Sequence, residues 1–476
     1  MVKENGLRAL EAELGDCIDV SEESLKKASY DGLKIAFSPS AVIRPRVDEQ
    51  VSRVLKLANQ FKVPVYTRGA ASNLTGSAAP VQNGWVLDLS LLNKFTIDTD
   101  VGYVTAQPGV PLIELQNAVE AKNWYYPPDP SSKKWCTIGG NIACNAGGLR
   151  CVKYGVTRDY VVALKGYLPN GEPTSWARKT RKFSAGYNIR DLWIGSEGTL
   201  GVITEATLRL IPKPEKKNTI LAAFESERKS LEASFEIVKN RIQPSIMEFL
   251  DRLTVEGAEK ATGRPVFKGR PGRSVLLLEV DGSAIQVEEG TKNLLSVLKS
   301  LTDSISVAEG EDENLWEVRR TCSSAMFELG NRKLNEDVAV PLQELVPLYE
   351  KIEILREESG CNIAVFGHAG DGNLHVNIMY DRENPSECER AEWAVNQLMH
   401  TVVQLGGTIS GEHGIGLAKS AFMPIQFSKA EISAMRSIKR ALDPNNILNP
   451  GKIFDIFEPW NYSQVNVTQP WDHKKH

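Results

Sequence analysis

Apolar residues recur with helical spacing early in the chain. Between Val47 and Phe61, the apolar positions 47, 51, 54, 55, 58 and 61 fall on one face of a helix. The run Ala41–Pro45 before this segment and the run Val63–Thr67 after it have the short apolar character of buried strands. The pattern therefore predicts a strand, a helix and a second strand at the start of the fold.

Short apolar runs without helical spacing continue to residue 210. We predict strands at Trp85–Leu89, Tyr103–Gln107, Val161–Leu168 and Gly201–Leu210. Two loops of small residues, Arg68–Gly76 and Gly139–Gly148, interrupt them, and the second contains too much Gly and Asn for a regular element. Such loops let backbone N–H groups approach phosphate oxygens, because little side-chain bulk keeps the anion away. A tight turn is the alternative interpretation of either loop taken alone.

Pro212 and Pro214, followed by a basic run, end the last of these strands and predict a domain boundary. Beyond this boundary, strands alternate with amphipathic helices. We predict strands at 219–224, 274–280 and 338–340, and helices at about 226–240, 285–300 and 343–358. This alternation predicts an α+β sandwich.

The composition is that of a globular protein with room for two or three domains in its 476 residues. The net charge of −4 provides no basic field for nucleic acid or anionic lipid, so neither is expected as a partner. The seven Cys lack C-x-x-C pairs, which indicates reduced thiols and argues against haem or iron–sulfur centres. Without an apolar leader or an apolar run of about 18 residues, a soluble cytoplasmic protein is expected.

Histidine is scarce, yet four of the six copies lie between residues 368 and 413. Asp371-Gly372 lies between strand-like flanks and predicts a two-residue hairpin turn. In that hairpin His368 faces His375 with Cβ atoms about 5 Å apart, so the two imidazoles can share a metal. Asn377 points to the same face.

The other half of this site is predicted in the segment 410–416, where glycines flank Glu412 and His413. Two histidines and a glutamate with open positions form a usual catalytic set for a divalent metal. Surface polar residues or satisfied core histidines are the alternative, which the cross-strand placement disfavours. The remaining histidines, His400 in a helix and His473 and His476 in a polar tail, are assigned no role.

The motifs become specific when they are taken in order. Arg68–Gly76, Ile138–Gly148, Tyr154-Gly155 and Gly195–Thr204 follow one another as in the vanillyl-alcohol-oxidase-like, or p-cresol methylhydroxylase (PCMH) type, FAD family. Over roughly residues 38 to 455 the chain resembles its branch of D-lactate dehydrogenases, glycolate oxidase flavin subunits and D-2-hydroxyglutarate dehydrogenases. The resemblance implies an α+β protein with a two-subdomain PCMH-type FAD-binding domain and an α+β substrate cap domain with an antiparallel sheet.

The resemblance also implies a division into an FAD-binding domain (1–217), a substrate and metal-binding cap domain (218–425) and a C-terminal segment that returns to the FAD domain (426–476). It assigns FAD binding to Arg68, Gly69, Ala71, Ser72, Asn73, Gly76, Thr137, Gly140, Asn141, Gly147, Gly148, Gly155, Gly198, Gly201, Ile203 and Asn449.

The first loop departs from the family pattern. The usual Gly-Thr-Gly or Gly-Thr-Asn centre is Ala71-Ser72-Asn73 here, and alanine is strained if residue 71 needs a positive φ. The loop contains neither His nor Cys, so a covalent flavin link from it is impossible. We expect FAD to be bound non-covalently.

By the same resemblance, His368, His375 and Glu412 bind a divalent metal, zinc or manganese, and His413 is the catalytic base. The metal lowers the pKa of the substrate hydroxyl, His413 accepts its proton, and hydride leaves the α-carbon for flavin N5. Arg319, in a Leu-Trp-x-x-Arg pattern, is the candidate for the substrate carboxylate, since Arg binds carboxylates in a bidentate manner. A solvated helix face is its alternative interpretation. Asn377 completes the catalytic candidates.

The size of the substrate depends on one position. Lys333 is a candidate for a distal carboxylate, but the family's lysine for this purpose aligns with Asn335. A short substrate follows, with oxidation of D-lactate to pyruvate favoured and glycolate or D-2-hydroxyglutarate as alternatives. Two other classes remain open: a metal-dependent hydrolase with phosphate-binding loops, and a non-enzymatic ligand-binding protein.

Reduced flavin must pass its electrons outside this chain, because haem and iron–sulfur ligand patterns are absent from the sequence. The resemblance suggests an electron-transferring flavoprotein, an iron–sulfur subunit or a quinone-linked complex as the acceptor. Direct use of oxygen, a homodimer and peripheral attachment to a membrane through a partner are left open.

Overall fold

The computed structural model describes residues 2–264, 274–302, 304–465, 467 and 469. Its strands, in chain order, are β1 (Ile18–Asp19), β2 (Ala41–Ile43), β3 (Val65–Arg68), β4 (Trp85–Asp88), β5 (Phe95–Asp98), β6 (Tyr103–Ala106), β7 (Trp124–Tyr125), β8 (Val161–Tyr167), β9 (Pro173–Trp176), β10 (Val202–Arg209), β11 (Ile211–Pro212), β12 (Lys216–Phe224), β13 (Ile246–Leu250), β14 (Ser274–Gly282), β15 (Ser304–Glu309), β16 (Arg332–Ala339), β17 (Asn362–His368) and β18 (Asn373–Tyr380).

The α-helices are α1 (Val2–Leu14), α2 (Glu22–Ala28), α3 (Asp48–Phe61), α4 (Leu112–Glu120), α5 (Ile138–Cys144), α6 (Cys151–Tyr154), α7 (Ile189–Trp193), α8 (Glu227–Lys239), α9 (Arg252–Thr262), α10 (Ala284–Leu298), α11 (Glu313–Ala325), α12 (Leu345–Ser359), α13 (Pro385–Gln404), α14 (Met423–Gln426) and α15 (Lys429–Leu442).

The first sheet has the order β1-β2-β4-β3, with β2 and β3 parallel to β4. Helix α3 packs on it through Val51, Val54 and Leu55, which are fully buried and share a core with Trp85 of β4. The strand, helix and strand predicted from the apolar spacing are confirmed. Strand β3 ends at Arg68, so the first loop of small residues starts at the edge of this sheet.

The second sheet has the order β5-β6-β10-β8-β9 and antiparallel neighbours. The prediction that the second small-residue loop has no regular element is wrong, since α5 begins just before it and includes its first residues, 139–144. The side chain of Thr137 caps this helix by accepting the N–H of Gly140. Ile138 and Ile142, spaced by four residues, are fully buried on its inner face. Burial of this face outweighs the low helix propensity of its glycines.

The third sheet has seven strands in the order β15-β12-β14-β13-β17-β18-β16, all antiparallel to their neighbours. Helices α8, α10, α12 and α13 contribute to the core on one face, while α9 and α11 contribute to the core on the other. An α+β fold whose C-terminal part contains an antiparallel sheet is therefore confirmed.

The segment after α15 returns to the first sheet. The N–H of Val65 donates to Ile447 O, and the N–H of Asn449 donates back to Val65 O, both at 2.8 Å. Lys452 is buried nearby and donates to Ala79 O. The chain thus closes on the strand that leads into the first small-residue loop.

All seven cysteines are free thiols. In the described part of the chain, no helix combines the length and the apolar character needed to cross a membrane.

Candidate functional site

A row of polar side chains crosses one face of the seven-stranded sheet. His375 in β18 pairs with Asp337 in β16, and His368 in β17 pairs with Glu248 in β13. Asn377 lies two residues beyond His375 on the same face, because side chains alternate along a strand. Four neighbouring strands therefore bring these groups together.

The predicted register of the hairpin is wrong. His368 pairs with Asn373, and His375 pairs with Phe366, because the connection takes residues 369–372 instead of two residues. Gly372 lies in the left-handed region with φ of 74°. The displacement is two residues, which preserves the face. The rings of His368 and His375 still meet, with centroids 5.2 Å apart.

The segment 410–416 lies against this row, and it is called the catalytic loop below because it contains the predicted base His413. Asp337 Oδ2 accepts the backbone N–H groups of Gly411, Glu412 and His413 at 3.0, 2.8 and 2.9 Å. Three successive N–H groups on one buried carboxylate fix the direction of the loop. Glu412 and His413 are thereby held beside the histidines of the sheet.

The donor atoms of His368, His375 and Glu412 lie within 4.8 Å of one another. Glu412 Oε1 is 3.4 Å from His368 Nε2 and 3.6 Å from His375 Nε2. In a tetrahedral zinc site, ligand atoms lie about 3.4 Å apart, as follows from metal–ligand distances of about 2.1 Å. His368 Nε2 is buried without a hydrogen-bond partner among the described residues. The residues therefore fit a divalent metal.

The ring of His413 stacks on that of His375, with centroids 5.4 Å apart and planes 16° apart. Both rings present Nδ1 to Asp337 at 3.9 Å, and both present Nε2 to Glu412, at 3.6 and 3.9 Å. Asp337, His375 and His413 form a second group of close donor atoms. The His413 side chain is 20% exposed against 7% for His375, so His413 is the more accessible ring.

Glu248 joins the metal candidates to Arg319. Its Oε1 lies 2.5 Å from His368 Nδ1, and its Oε2 lies 2.5 Å from Arg319 Nε. Burial raises the pKa of Glu248, but the charges of Arg319 and His368 outweigh burial and hold the pKa at about 2. Burial, assisted by repulsion from His368, lowers the pKa of His375 to about 3. His375 is therefore neutral near pH 7, as a metal ligand must be. At His368, in contrast, the charge of Glu248 outweighs burial and raises the pKa, so a metal would have to displace a proton there.

Arg319 lies in α11, where it is buried and stacks on Phe366 with 4.9 Å between its Cζ and the ring centroid. Its guanidinium lines the main cavity, although Glu248 already takes one side of it. Asn377 donates to Ala364 O and His375 O, while its Oδ1 is buried without a partner in the described structure. Both side chains lie beside the metal candidates.

The main cavity has a volume of about 1990 Å³. This exceeds the roughly 300–1,000 Å³ of a usual ligand pocket, so a dinucleotide and a small substrate can share it. The predicted FAD-binding residues along its wall are Arg68, Gly69, Ala71, Ser72, Asn73, Thr137, Gly140, Asn141, Gly147, Gly198, Gly201 and Ile203. A Cβ on Gly69 would lie 2.4 Å from Thr137 Oγ1, so only glycine fits between the two loops. The cavity wall therefore suits FAD.

Four of the predicted FAD-binding residues do not line this cavity: Gly76, Gly148, Gly155 and Asn449. Asn449 instead donates to Ser77 O and Glu197 O, which fastens two cavity loops together. The guanidinium of Arg68 donates to the backbone carbonyls of Ala28, the last residue of α2, and of Tyr30 just beyond it. The hydrogen bonds of Asn449 and Arg68 therefore hold the loops that line the cavity in place.

Ala71 has φ of 53°, the left-handed conformation in which alanine is strained. Two residues later, Asn73 Nδ2 donates to His413 O at 2.9 Å. The first small-residue loop therefore touches the catalytic loop directly.

Sequence reasoning missed three buried carboxylates: Glu197, Glu248 and Asp337. Glu248 interrupts the apolar run Ile246–Leu250, and an acid in the middle of a buried strand was the available signal. His473 and His476 lie outside the described residues.

Residues 39–175 match the FAD binding domain family, and residues 213–453 match the C-terminal domain of FAD linked oxidases. The chain is 41% identical to the glycolate oxidase subunit GlcD of Bacillus subtilis, over 90% of this chain and 91% of the relative. It is 34% identical to the D-lactate dehydrogenase of Anaerostipes hadrus (87% and 89%) and 32% identical to the D-2-hydroxyglutarate dehydrogenase of Xanthomonas citri pv. viticola (88% and 90%).

Among solved structures, p-cresol methylhydroxylase with substrate bound has a TM-score of 0.80 at 20% identity, over 96% of this chain and 97% of that one. An alkyldihydroxyacetonephosphate synthase has a TM-score of 0.74 at 18% identity, over 94% and 85%. At these identities the likeness concerns the fold alone. It confirms the PCMH-type fold expected from the motifs.

Proposed function

The chain belongs to the family of FAD-linked oxidases, and we propose that it oxidises a D-2-hydroxy acid with FAD as electron acceptor and a divalent metal as Lewis acid. FAD-linked oxidation of a hydroxy acid agrees with the names of the relatives. These names differ in the hydroxy acid, which is glycolate, D-lactate or D-2-hydroxyglutarate. We favour D-lactate, which would give pyruvate.

One observation carries the proposal. The cavity lined by the two small-residue loops also reaches Arg319, Glu412 and His413. An electron acceptor, a proton acceptor and a cation for a carboxylate can therefore meet at one substrate. The match to the FAD-linked oxidase family argues against a metal-dependent hydrolase with phosphate-binding loops.

We assign the proton transfer to His413. Its accessible ring accepts the hydroxyl proton, and the carboxylate of Asp337, 3.9 Å from Nδ1, stabilises the imidazolium that forms. Arg319 and Asn377 position the substrate, and His368, His375 and Glu412 hold the metal. When bound, the metal supplies a Lewis acid and FAD supplies a two-electron acceptor.

We propose that FAD is held without a covalent bond by the twelve assigned residues that line the cavity, while Gly76, Gly148, Gly155 and Asn449 support the fold around it. Cys144 lines the same cavity, but burial raises the pKa of its thiol to about 12. A buried thiol with so high a pKa is a poor nucleophile, which supports non-covalent binding.

A short substrate fits the residues beyond Asn377. Asn335 faces Asn377 across the sheet, where a longer diacid would need a cation. Lys333 lies further along the strand and donates to Ser323 O and Oγ. D-Lactate is therefore our first candidate, and glycolate is the second because of the 41% identity to a glycolate oxidase subunit.

We also propose a division of the chain into three domains or segments, 1–217, 218–425 and 426–476.

We further propose that the electrons pass to an external acceptor. The name "subunit" of the Bacillus subtilis relative and the name "D-lactate dehydrogenase [cytochrome]" of the Arabidopsis thaliana relative both support electron transfer to another protein. An electron-transferring flavoprotein, an iron–sulfur subunit and a quinone-linked complex remain the candidates, and a homodimer is a further proposal.

Stopped-flow absorbance tests the function. We expect purified protein to be yellow and its flavin to bleach with D-lactate or glycolate, but not with L-lactate, and more slowly after treatment with a chelator. His413→Ala should keep FAD and metal but lose bleaching, whereas His375→Ala should lose metal. His400→Ala, an exposed histidine of α13, is the matched control and should change nothing. A protein that cannot be reconstituted with FAD, or that hydrolyses a phosphate ester without bleaching, would refute the proposal.

A further inference from the structure

The catalytic loop has neither helix nor strand, and two carboxylates from distant parts of the chain take its N–H groups. Asp337 holds its first half from the sheet. Glu197 holds its second half: Oε1 accepts the N–H of Ile415 and Oε2 accepts the N–H of Gly416, both at 2.8 Å. Glu197 follows α7, more than two hundred residues before the loop that it binds. The loop is thus clamped from both sides.

The backbone of Glu197 belongs to the wall of the cavity. Its N–H donates to Ala143 O of α5 at 2.8 Å, and its carbonyl accepts from Asn449 Nδ2 at 2.6 Å. Its φ is 52°, and Gly195 and Gly198 on either side also have positive φ. The turn formed by residues 195–198 is therefore tightly specified. Residues 196–198 line the cavity, while the side chain of Glu197 reaches the catalytic loop.

Glu197 is 5% exposed, and no Lys, Arg or His of the described structure lies within salt-bridge distance of it. Both of its oxygens are therefore satisfied at short range by the two N–H groups of the catalytic loop. A carboxylate accepts both donors. An amide would accept one and turn its own N–H groups towards the other.

Resting on the proposed function, we propose that Glu197 is a positioning residue that makes FAD and the divalent metal bind cooperatively. FAD in the cavity restrains the turn 195–198, Glu197 transmits this restraint to Ile415 and Gly416, and Glu412 is held where it meets His368 and His375. Linkage requires the effect to be reciprocal, so the metal must raise the affinity for FAD by the same factor.

The test is the affinity for Mn²⁺, measured by competition with a fluorescent chelator in FAD-free and FAD-loaded protein. We expect FAD to raise the affinity of the wild type about tenfold, a usual size for such coupling. Glu197→Gln should still bind both FAD and Mn²⁺. Its affinity for Mn²⁺ should, however, be nearly the same in the FAD-loaded and the FAD-free protein, so that the ratio of the two affinities is near one. Asp337→Asn is the control, because it loosens the loop from the other side. It should weaken Mn²⁺ binding in both states and keep the ratio.

Hydrogen exchange of the wild type tests the same idea without a variant. FAD should slow the exchange of the Ile415 and Gly416 amides about tenfold, in proportion to the coupling. This result decides the matter if Glu197→Gln does not fold. A wild-type ratio of one, an unchanged ratio in Glu197→Gln, or amide exchange indifferent to FAD would overturn the proposal. Flavin bleaching by hydroxy acids reports separately on the proposed function, so the two can fail independently.

Discussion

Glu248 offers the sharpest test of the proposed metal site, because this one buried carboxylate contacts both His368, a proposed metal ligand, and Arg319. Glu248→Gln keeps the shape but removes the charge between His368 and Arg319. Removing one partner of a buried ion pair leaves an uncompensated charge and costs about 3–5 kcal/mol. Loss of the group that orients a metal-binding histidine lowers metal affinity about 10–100-fold, or about 1.4–2.7 kcal/mol.

Two variants separate these effects. Glu279→Gln removes another buried carboxylate of the same sheet, one that pairs with Arg150 rather than with a histidine. It should lower stability without changing metal affinity. The double variant Glu248→Gln with Arg319→Met removes both charges, so stability should recover while metal affinity stays low, since His368 still lacks its carboxylate.

Urea denaturation of the metal-free proteins measures the free energy of unfolding, and chelator competition measures the affinity for Zn²⁺ or Mn²⁺. The reasoning fails if Glu248→Gln binds metal within twofold of the wild type. It also fails if Glu279→Gln weakens metal binding to the same extent, because the effect would then be general to buried acids of this sheet.

Three further outcomes are expected. Ala71→Gly should raise the free energy of unfolding in urea by about 0.5–1 kcal/mol, because glycine relieves the left-handed φ at some cost in unfolded-chain entropy; no gain would contradict the strain. Burial raises the pKa of Glu197 from 4.5 to about 7, so its stabilising contribution is complete below pH 4.5 and is lost as pH rises through 7. Relative to Glu197→Gln, the wild type should lose about 2.5 kcal/mol between pH 5 and 8, and a flat difference would refute the shift. A chelator should destabilise the wild type by about 2.7 kcal/mol if metal was present at 100 times its Kd, but should leave His375→Ala unchanged in a thermal scan.

The motifs located the metal candidates even though the predicted register of the hairpin was wrong. His368 and His375 share a face in either register, because a shift by two residues preserves the alternation of a strand. The glycines around Glu412 and His413 predicted a loop, and this prediction needed only the local sequence. Local pattern therefore sufficed wherever the answer depended on the face of a strand or on a tight loop.

Long-range pairing was not predictable in this way. Glu248 reaches His368 because β13 lies beside β17, and Asp337 reaches His375 because β16 lies beside β18. The spacing of residues along the chain does not predict which strands become neighbours. Glu197 stood in a recognised motif, yet its partners Ile415 and Gly416 come from a loop far along the chain. Helix α5 was missed because burial of Ile138 and Ile142 outweighs poor helix propensity.

The return of the C-terminal segment to β3 determines when the first sheet can be completed during synthesis of the chain. A ribosome releases residues from the N-terminus onward, so the first small-residue loop emerges long before Asn449 and Lys452, which donate to Ser77 O and Ala79 O. The hydrogen bonds to Ser77 O and Ala79 O therefore form only after residues 449 and 452 have been synthesised. A nascent chain that stops before Ile447 already carries both small-residue loops, yet it cannot complete the bridge to Val65.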